Sequence, residues 1–284
     1  MTNAVSGAIA DGVVLEVVGT VDNRGTITTP GTVGVLLSVG GTVSNGKNGL
    51  ISGGTVGIFA PGRDATVINA GRISGSTFAV QFTGSNDRLV VDPGAVFVGK
   101  VTGGSSRNIL ELASAAHRGT ITGLGTSFTN FNTIVVDRRA QWEATGTNSL
   151  ASGTALVVRG KLTDVGALTL AAVGGPGTIQ LSPDSVLTAD GRFDVGHLRF
   201  LAGGHEIAAF GAPATVSSTI ARFAESDTVD LLGFVVTKLS FTGHTLTADG
   251  AHGAVAHLKF AASFRSNDFA FAPDDHGGTN ITLV

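Results

Sequence analysis

The stretch Val33-Gly34-Val35-Leu36-Leu37-Ser38-Val39-Gly40-Gly41-Thr42-Val43-Ser44-Asn45-Gly46-Lys47-Asn48-Gly49-Leu50-Ile51-Ser52 decides the reading of this chain. It holds three short segments of β-forming residues, apolar at alternate positions and separated by glycine, serine and asparagine. The same cycle stands on either side of it. Thr20-Val21-Asp22-Asn23 and Thr66-Val67-Ile68-Asn69 repeat Thr42-Val43-Ser44-Asn45, while Thr26-Ile27-Thr28 and Arg72-Ile73-Ser74 repeat Leu50-Ile51-Ser52. Gly12, Gly34 and Gly57, with Ala79 after them, mark a period of about 22 to 24 residues.

A segment of three to five residues cannot bury its apolar side alone. Stacked in parallel about 4.8 Å apart, successive copies pile equivalent residues into ladders and bury it. The period therefore predicts an all-β fold, a right-handed parallel β-helix (β-solenoid) over residues 1–204 with turns of about 22 to 24 residues. Val21, Val43 and Val67 are expected in one inward ladder, Ile27, Ile51 and Ile73 in a second, and Val35, Ile58 and Val80 in a third. Asn23, Asn45 and Asn69 are expected at a corner, where asparagine tolerates left-handed dihedrals and its amides bond along the stack. Helices are disfavoured by recurrent glycine and by the dominance of Val, Ile, Thr and Phe. A β-sandwich also uses short strands, but it does not require repeats in step.

After Leu89 the pattern loosens without stopping. Val90-Val91-Asp92-Pro93-Gly94-Ala95-Val96-Phe97 reads as a further turn, and Asn108-Ile109-Leu110-Glu111-Leu112 as a strand after a glycine-serine loop. Residues 205–284 lose the asparagine corner and gain histidine, phenylalanine and aspartate, which points to a β-rich C-terminal capping or secretion-related section. A solenoid exposes a sheet edge at its end, and an uncovered edge templates association. Phe260, Phe264, Phe269 and Phe271 are expected to cover the last apolar ladder, with Asp274, Asp275 and His276 facing solvent.

Composition narrows the partners. The chain has 284 residues, 42 of them glycine and 14% charged, and its 18 basic and 21 acidic side chains give a net charge of −3 without any basic block. Nucleic acid and anionic membrane surfaces are not expected partners. The absence of cysteine excludes disulfides, thiolate metal sites and a cysteine nucleophile. No continuous apolar run approaches the roughly 18 to 20 residues of a membrane-spanning helix.

The segments Ala79-Val80-Gln81-Phe82-Thr83-Gly84-Ser85-Asn86-Asp87-Arg88-Leu89, Pro93-Gly94-Ala95-Val96-Phe97-Val98-Gly99 and Phe131-Asn132-Thr133-Ile134-Val135-Val136 with Trp142 resemble the β-strand-repeat passenger regions of bacterial autotransporters and related large exported adhesins. That resemblance covers most of the chain and implies an extracellular or cell-surface location. The ending, from Asp227-Thr228-Val229-Asp230-Leu231 to Asp275-His276-Gly277-Gly278-Thr279, looks like the terminal region of large repetitive exported proteins. The first residues read as no signal peptide, and the last as no set of outer-membrane barrel strands, so a passenger-like piece or a different export system is implied.

Right-handed β-helices also house polysaccharide-cleaving enzymes, which need converging carboxylates. Asp87 with Asp92, and Asp137 beside Arg138 and Arg139, are the nearest candidates, and each reads as a solvated turn. Asp274-Asp275-His276 is the densest ionisable cluster and also reads as a turn. Gly84-Ser85-Asn86-Asp87-Arg88-Leu89 resembles one calcium-binding nonapeptide, but a single copy cannot supply the six to eight oxygens that calcium takes. His117, His197, His205, His244, His252 and His257 lack metal-ligand spacing and suit polar strand faces. Trp142 reads as a core or corner filler, with stacking on a sugar ring as the alternative.

The expected role is therefore a non-catalytic extracellular surface or adhesive stalk that presents loops on a rigid solenoid. No catalytic residue, metal or cofactor is expected, and the expected partner is a host or bacterial surface glycan or protein. A polysaccharide-binding or polysaccharide-cleaving β-helix is the first alternative. A self-assembling module, stacking end to end, is the second.

Overall fold

A computed structural model describes residues 1–104 and 107–284, so the two serines of the glycine-serine loop lie outside the described residues. The chain is a β-solenoid of parallel stacked coils, and its only helical elements among the described residues are 3-10 turns at Pro213–Thr215, Ala251–Gly253 and Ser266–Asp268. It forms two compact units, Met1–Ala140 and Gln141–Val284.

In the first unit each coil contributes three short strands. Val21 pairs with Val43 and Val43 with Val67, and the column continues through Leu89, Leu110 and Ile134. Ile27, Ile51 and Ile73 form the second column, which starts at Ile9 and ends on Phe97. Val13, Val35, Ile58, Val80 and Val101 form the third. Val21, Val43, Val67, Ile27, Ile51 and Ile73 are all fully buried, as the alternation requires, because neighbouring residues on a strand point to opposite faces. Gly34 and Gly57 sit where coils approach most closely: a Cβ on Gly34 would lie 2.6 Å from the Gly57 carbonyl oxygen.

The asparagines differ in one respect from expectation. Asn3, Asn23, Asn45 and Asn69 are in register, but none has a left-handed backbone. They end strands, and their side chains turn into the core. What selects asparagine there is its amide. Asn23 Nδ2 donates to Asn45 Oδ1 at 2.8 Å, and Asn45 Nδ2 donates to Asn69 Oδ1 at 2.9 Å. The same Nδ2 groups reach corner carbonyls such as Leu50 and Arg72, satisfying backbone that a buried turn would otherwise orphan.

In the second unit the inward column is Trp142, Leu162, Ile179, Leu198, Ile220 and Phe260, all buried. The repeat also shortens, to 17 residues between the paired Thr163 and Gln180. The change in composition after Gly204 does not coincide with a change in strand direction. Ile207–Phe210 and Thr228–Leu231 continue the parallel stack on Val186–Ala189. Antiparallel pairing begins only with the meander Val236–Thr242, Thr245–Gly250 and Val255–Phe260, and with the hairpin Phe269–Pro273 and Thr279–Leu283. Composition reports exposure more than strand direction, so the parallel coils outlast the asparagine corner.

Phe260, Phe264 and Phe269 do meet over the end of the core column, joined by Phe223 and Phe241, with ring centroids 5.2 to 6.2 Å apart. Phe271 does not: it is 43% exposed, because it stands two residues along its strand from Phe269, beyond the end of the cluster.

Candidate functional site

The chemistry-bearing surface of the second unit follows from the register that builds its core. Residues flanking the column from Trp142 to Phe260 must point outward. Lys161, Thr178, His197, Thr219 and Lys259 are consecutive register partners on five neighbouring strands. They make an outward column in which Lys161, His197 and Lys259 alternate with threonines. With rungs about 4.8 Å apart, the basic residues recur about every 10 Å.

Two residues along each strand runs a parallel column of Glu143, Thr163, Gln180, Arg199 and Ala221, its one acid standing a rung before Lys161. Thr178, His197, Arg199, Ala221 and Arg222 line a shallow hollow of about 350 Å³. Arg222 ends its strand at φ 62°, where the backbone turns off the sheet. Between Lys161 and Lys259 neither column contains an acid. The carboxylate that feels Lys259 is that of Asp194, which is held below the usual carboxylate range first by the Ser217 hydroxyl, then by Arg192, and only weakly by Lys259. Four full cations and one imidazole therefore face solvent, with the half-buried Thr178 and Thr219 as neutral hydrogen-bonding groups between them, while Thr163 and Gln180 are buried.

The candidates suggested by the sequence are distributed otherwise. Asp87 does not occupy a solvated turn: it is fully buried, and Oδ1 accepts the Ala65 N–H at 2.9 Å. Its position belongs to a second polar ladder, one that the repeat period does not reveal. Asn108 Oδ1 accepts the Asp87 N–H, and Asn132 Oδ1 accepts the Asn108 N–H, so each side-chain oxygen caps the amide one coil earlier. The signal is present as Asp87, Asn108 and Asn132 at the starts of successive strands, but without a constant period. Burial pushes the Asp87 carboxyl up to about 6.

Asp92 and Asp137 open separate tight turns, with their carbonyls accepting the N–H groups of Ala95 and Ala140. Asp274 accepts the N–H groups of His276 and Gly278 at 2.7 Å each, which makes the cluster there a hydrogen-bonded turn. Among the described residues no three His, Asp or Glu side chains are grouped to hold a metal ion. Trp142 is 1% exposed inside the core column, so its indole is not available to a sugar ring. His197, expected on a polar strand face, stands in the basic column.

No protein-family model and no curated protein sequence matches this chain.

Proposed function

We propose that this protein is a non-catalytic extracellular or cell-surface adhesive scaffold, and that the basic face of its second unit binds an acidic polysaccharide. The observation that carries this reading is the column of Lys161, His197 and Lys259 at every second rung, flanked by Arg199 and Arg222. A rigid sheet holds these groups at fixed spacing, so a polymer bearing one anion on every second sugar ring meets successive basic side chains without bending. Duplex nucleic acid is a poorer match, because its charges recur about every 3.4 Å along each strand. Thr178 and Thr219 between the basic residues suit sugar hydroxyls.

Four carboxyls are withdrawn from any glycosidic chemistry by burial. Asp87, Asp164, Glu206 and Asp227 lie in the interior, away from any surface where a glycosidic bond could reach them. The strand-repeat resemblance to autotransporter passengers supports the surface location.

The reading is tested by titrating the full chain at low and high salt with hyaluronan oligomers, which carry one carboxylate per disaccharide. Saturable binding that weakens with salt, and weakens at least tenfold in the double variant K161E/K259E with unchanged circular dichroism, is the expected result. Salt-insensitive binding, or equal binding by the variant, refutes it.

A further inference from the structure

The first unit carries a different feature, independent of the basic face. Its second sheet stacks Ile9, Ile27, Ile51, Ile73 and Phe97 in one column and then breaks. On one side, residues 96–98 pair with residues 72–74. On the other side the strand Val96–Thr102 is continued only at Val101 and Thr102, by Phe128–Thr129. Among the described residues no strand is registered on the far edge of Val96, Phe97 and Val98.

Chain length at the preceding corner accounts for the break. The turn between Arg88–Val91 and Val96–Thr102 uses residues 92–95, whereas the next coil spends residues 113–118 before the strand Gly119–Thr122 begins. The extra length carries that strand out of register. A lateral cleft of about 800 Å³ results, lined among others by Phe97, Lys100, Val101, Thr120, Ile121 and Phe128. The column shows the consequence: Ile27, Ile51 and Ile73 are fully buried, Phe97 is half-buried, and Val96 and Val98 are each 41% exposed.

We propose that this cleft receives an extended polypeptide strand from a partner protein, added in parallel to residues 96–98 as the missing rung. The free edge presents backbone N–H and C=O groups at the strand repeat of about 3.3 Å, and a polypeptide is the polymer that answers that pattern on both counts. The cleft also prescribes side chains. The residue over Phe97 enters the core and must be apolar, while its two neighbours point outward past Val96 and Val98 and tolerate small polar groups. Among the described residues Lys100 is the one charged residue lining the cleft, and it lies two positions beyond Val98. A parallel strand that ends in a carboxylate, from aspartate, glutamate or a free C-terminus, brings that charge to Lys100.

The chain supplies a probe, since Leu50, Ile51 and Ser52 occupy in their own coil the positions of Val96, Phe97 and Val98. A fluorescein-labelled peptide Gly49-Leu50-Ile51-Ser52-Gly53, extended by a C-terminal aspartate, is titrated with the full chain and followed by fluorescence polarisation. Saturable binding is expected, with slowed hydrogen exchange at the Phe97 amide, which faces the open edge, and no change at the Val96 amide, which already donates to the Gly71 carbonyl. Charge reversal in K100E, at an exposed position that leaves the fold unchanged, should weaken binding roughly fivefold, and a probe ending in lysine should bind that variant better than the wild type. A probe with proline at the isoleucine position should not bind. Absence of saturable binding, equal binding of the proline probe, indifference to K100E, or displacement of the peptide by hyaluronan oligomers from this cleft would each overturn the inference. None of these outcomes bears on the basic face, whose variants lie in the other unit.

Discussion

Asn45 receives the amide of Asn23 on its Oδ1 and gives its own Nδ2 to Asn69, so each buried asparagine is acceptor to the coil before and donor to the coil after. Its Nδ2 also reaches the carbonyls of Gly49 and Arg72 at 3.1 and 3.2 Å. The ladder is directional, and every member is satisfied only while its neighbours are present.

Replacing Asn45 with alanine should therefore cost about 2 to 4 kcal/mol, since it removes at once the buried hydrogen bonds to Asn23, Asn69 and the Gly49 and Arg72 carbonyls. Asn45→Asp keeps the shape and removes the donor, and should be at least as damaging at pH 8 while recovering part of its stability near pH 4. Urea denaturation at the two pH values measures both. A loss below about 0.5 kcal/mol for the alanine variant would mean that water enters the corner freely.

Stability of the whole chain should fall as pH rises from about 4 to about 7. Burial pushes Asp164 up to about 7 and Asp87 up to about 6. Asp227 is pushed up to about 7, first by burial and then by the adjacent Glu206 carboxyl, and Asp230 to about 6, first by burial and then by the charge of Asp274. No N–H or hydroxyl group reaches the Glu206 oxygens, so the proton that Asp227 retains is the donor that fits them. Each folded-state value lies above the ordinary carboxyl value near 4, so the folded chain holds more protons. The stability contribution is complete below about pH 4 and is lost by about pH 7. Asp194 and Asp274 shift downward and act only below that window.

Asp164 is the sharpest single test, because both its oxygens are buried without a donor. Asp164→Asn removes the charge at constant shape and should raise the melting temperature at pH 8 by several degrees while leaving pH 4.5 little changed. The gain is bounded at roughly 4 kcal/mol, the free energy that corresponds to a carboxyl raised from 3.8 to about 7. Equal melting shifts at both pH values would show that the carboxyl is already neutral or solvated.

Phe260 closes the core column and packs on Phe223, Phe241, Phe264 and Phe269 at 5.5 to 6.2 Å. Phe260→Ala should cost about 3 to 5 kcal/mol. A chain ending at residue 234 loses the antiparallel strands and bares the edges of Thr219–Ala221 and Thr228–Leu231. It should scatter light and assemble at concentrations where the full chain remains monodisperse. A monodisperse truncated chain with unchanged β-type circular dichroism would show that the terminal section does not protect the edge.

Much of the interior is legible in the amino-acid sequence. Val43 between Val21 and Val67, and Ile51 between Ile27 and Ile73, follow from a constant period and a two-residue alternation, which together fix both the partner and the face of each residue. The asparagine ladder is legible for the same reason, including its amides bonding along the stack, whereas the left-handed backbone also expected there is not found. Asp87 reads as solvated because a lone carboxylate beside glycine looks like a turn, and only the register shows the amide of Ala65 above it.

The parallel coil and its inward ladders are encoded locally, because burial of short alternating segments has that one economical solution when the repeats run in step. Where the surface chemistry stands is settled by the folded chain alone. Lys161, His197 and Lys259 are far apart in a chain whose later coils vary in length, and no local pattern links them; hydrogen-bonded register places them in one column. The same holds for the cleft beside Phe97, which exists because residues 113–118 are too many for the corner they turn. A period in the sequence specifies what stacks, but the departures from it acquire a position only when the backbone of one coil is laid against the next.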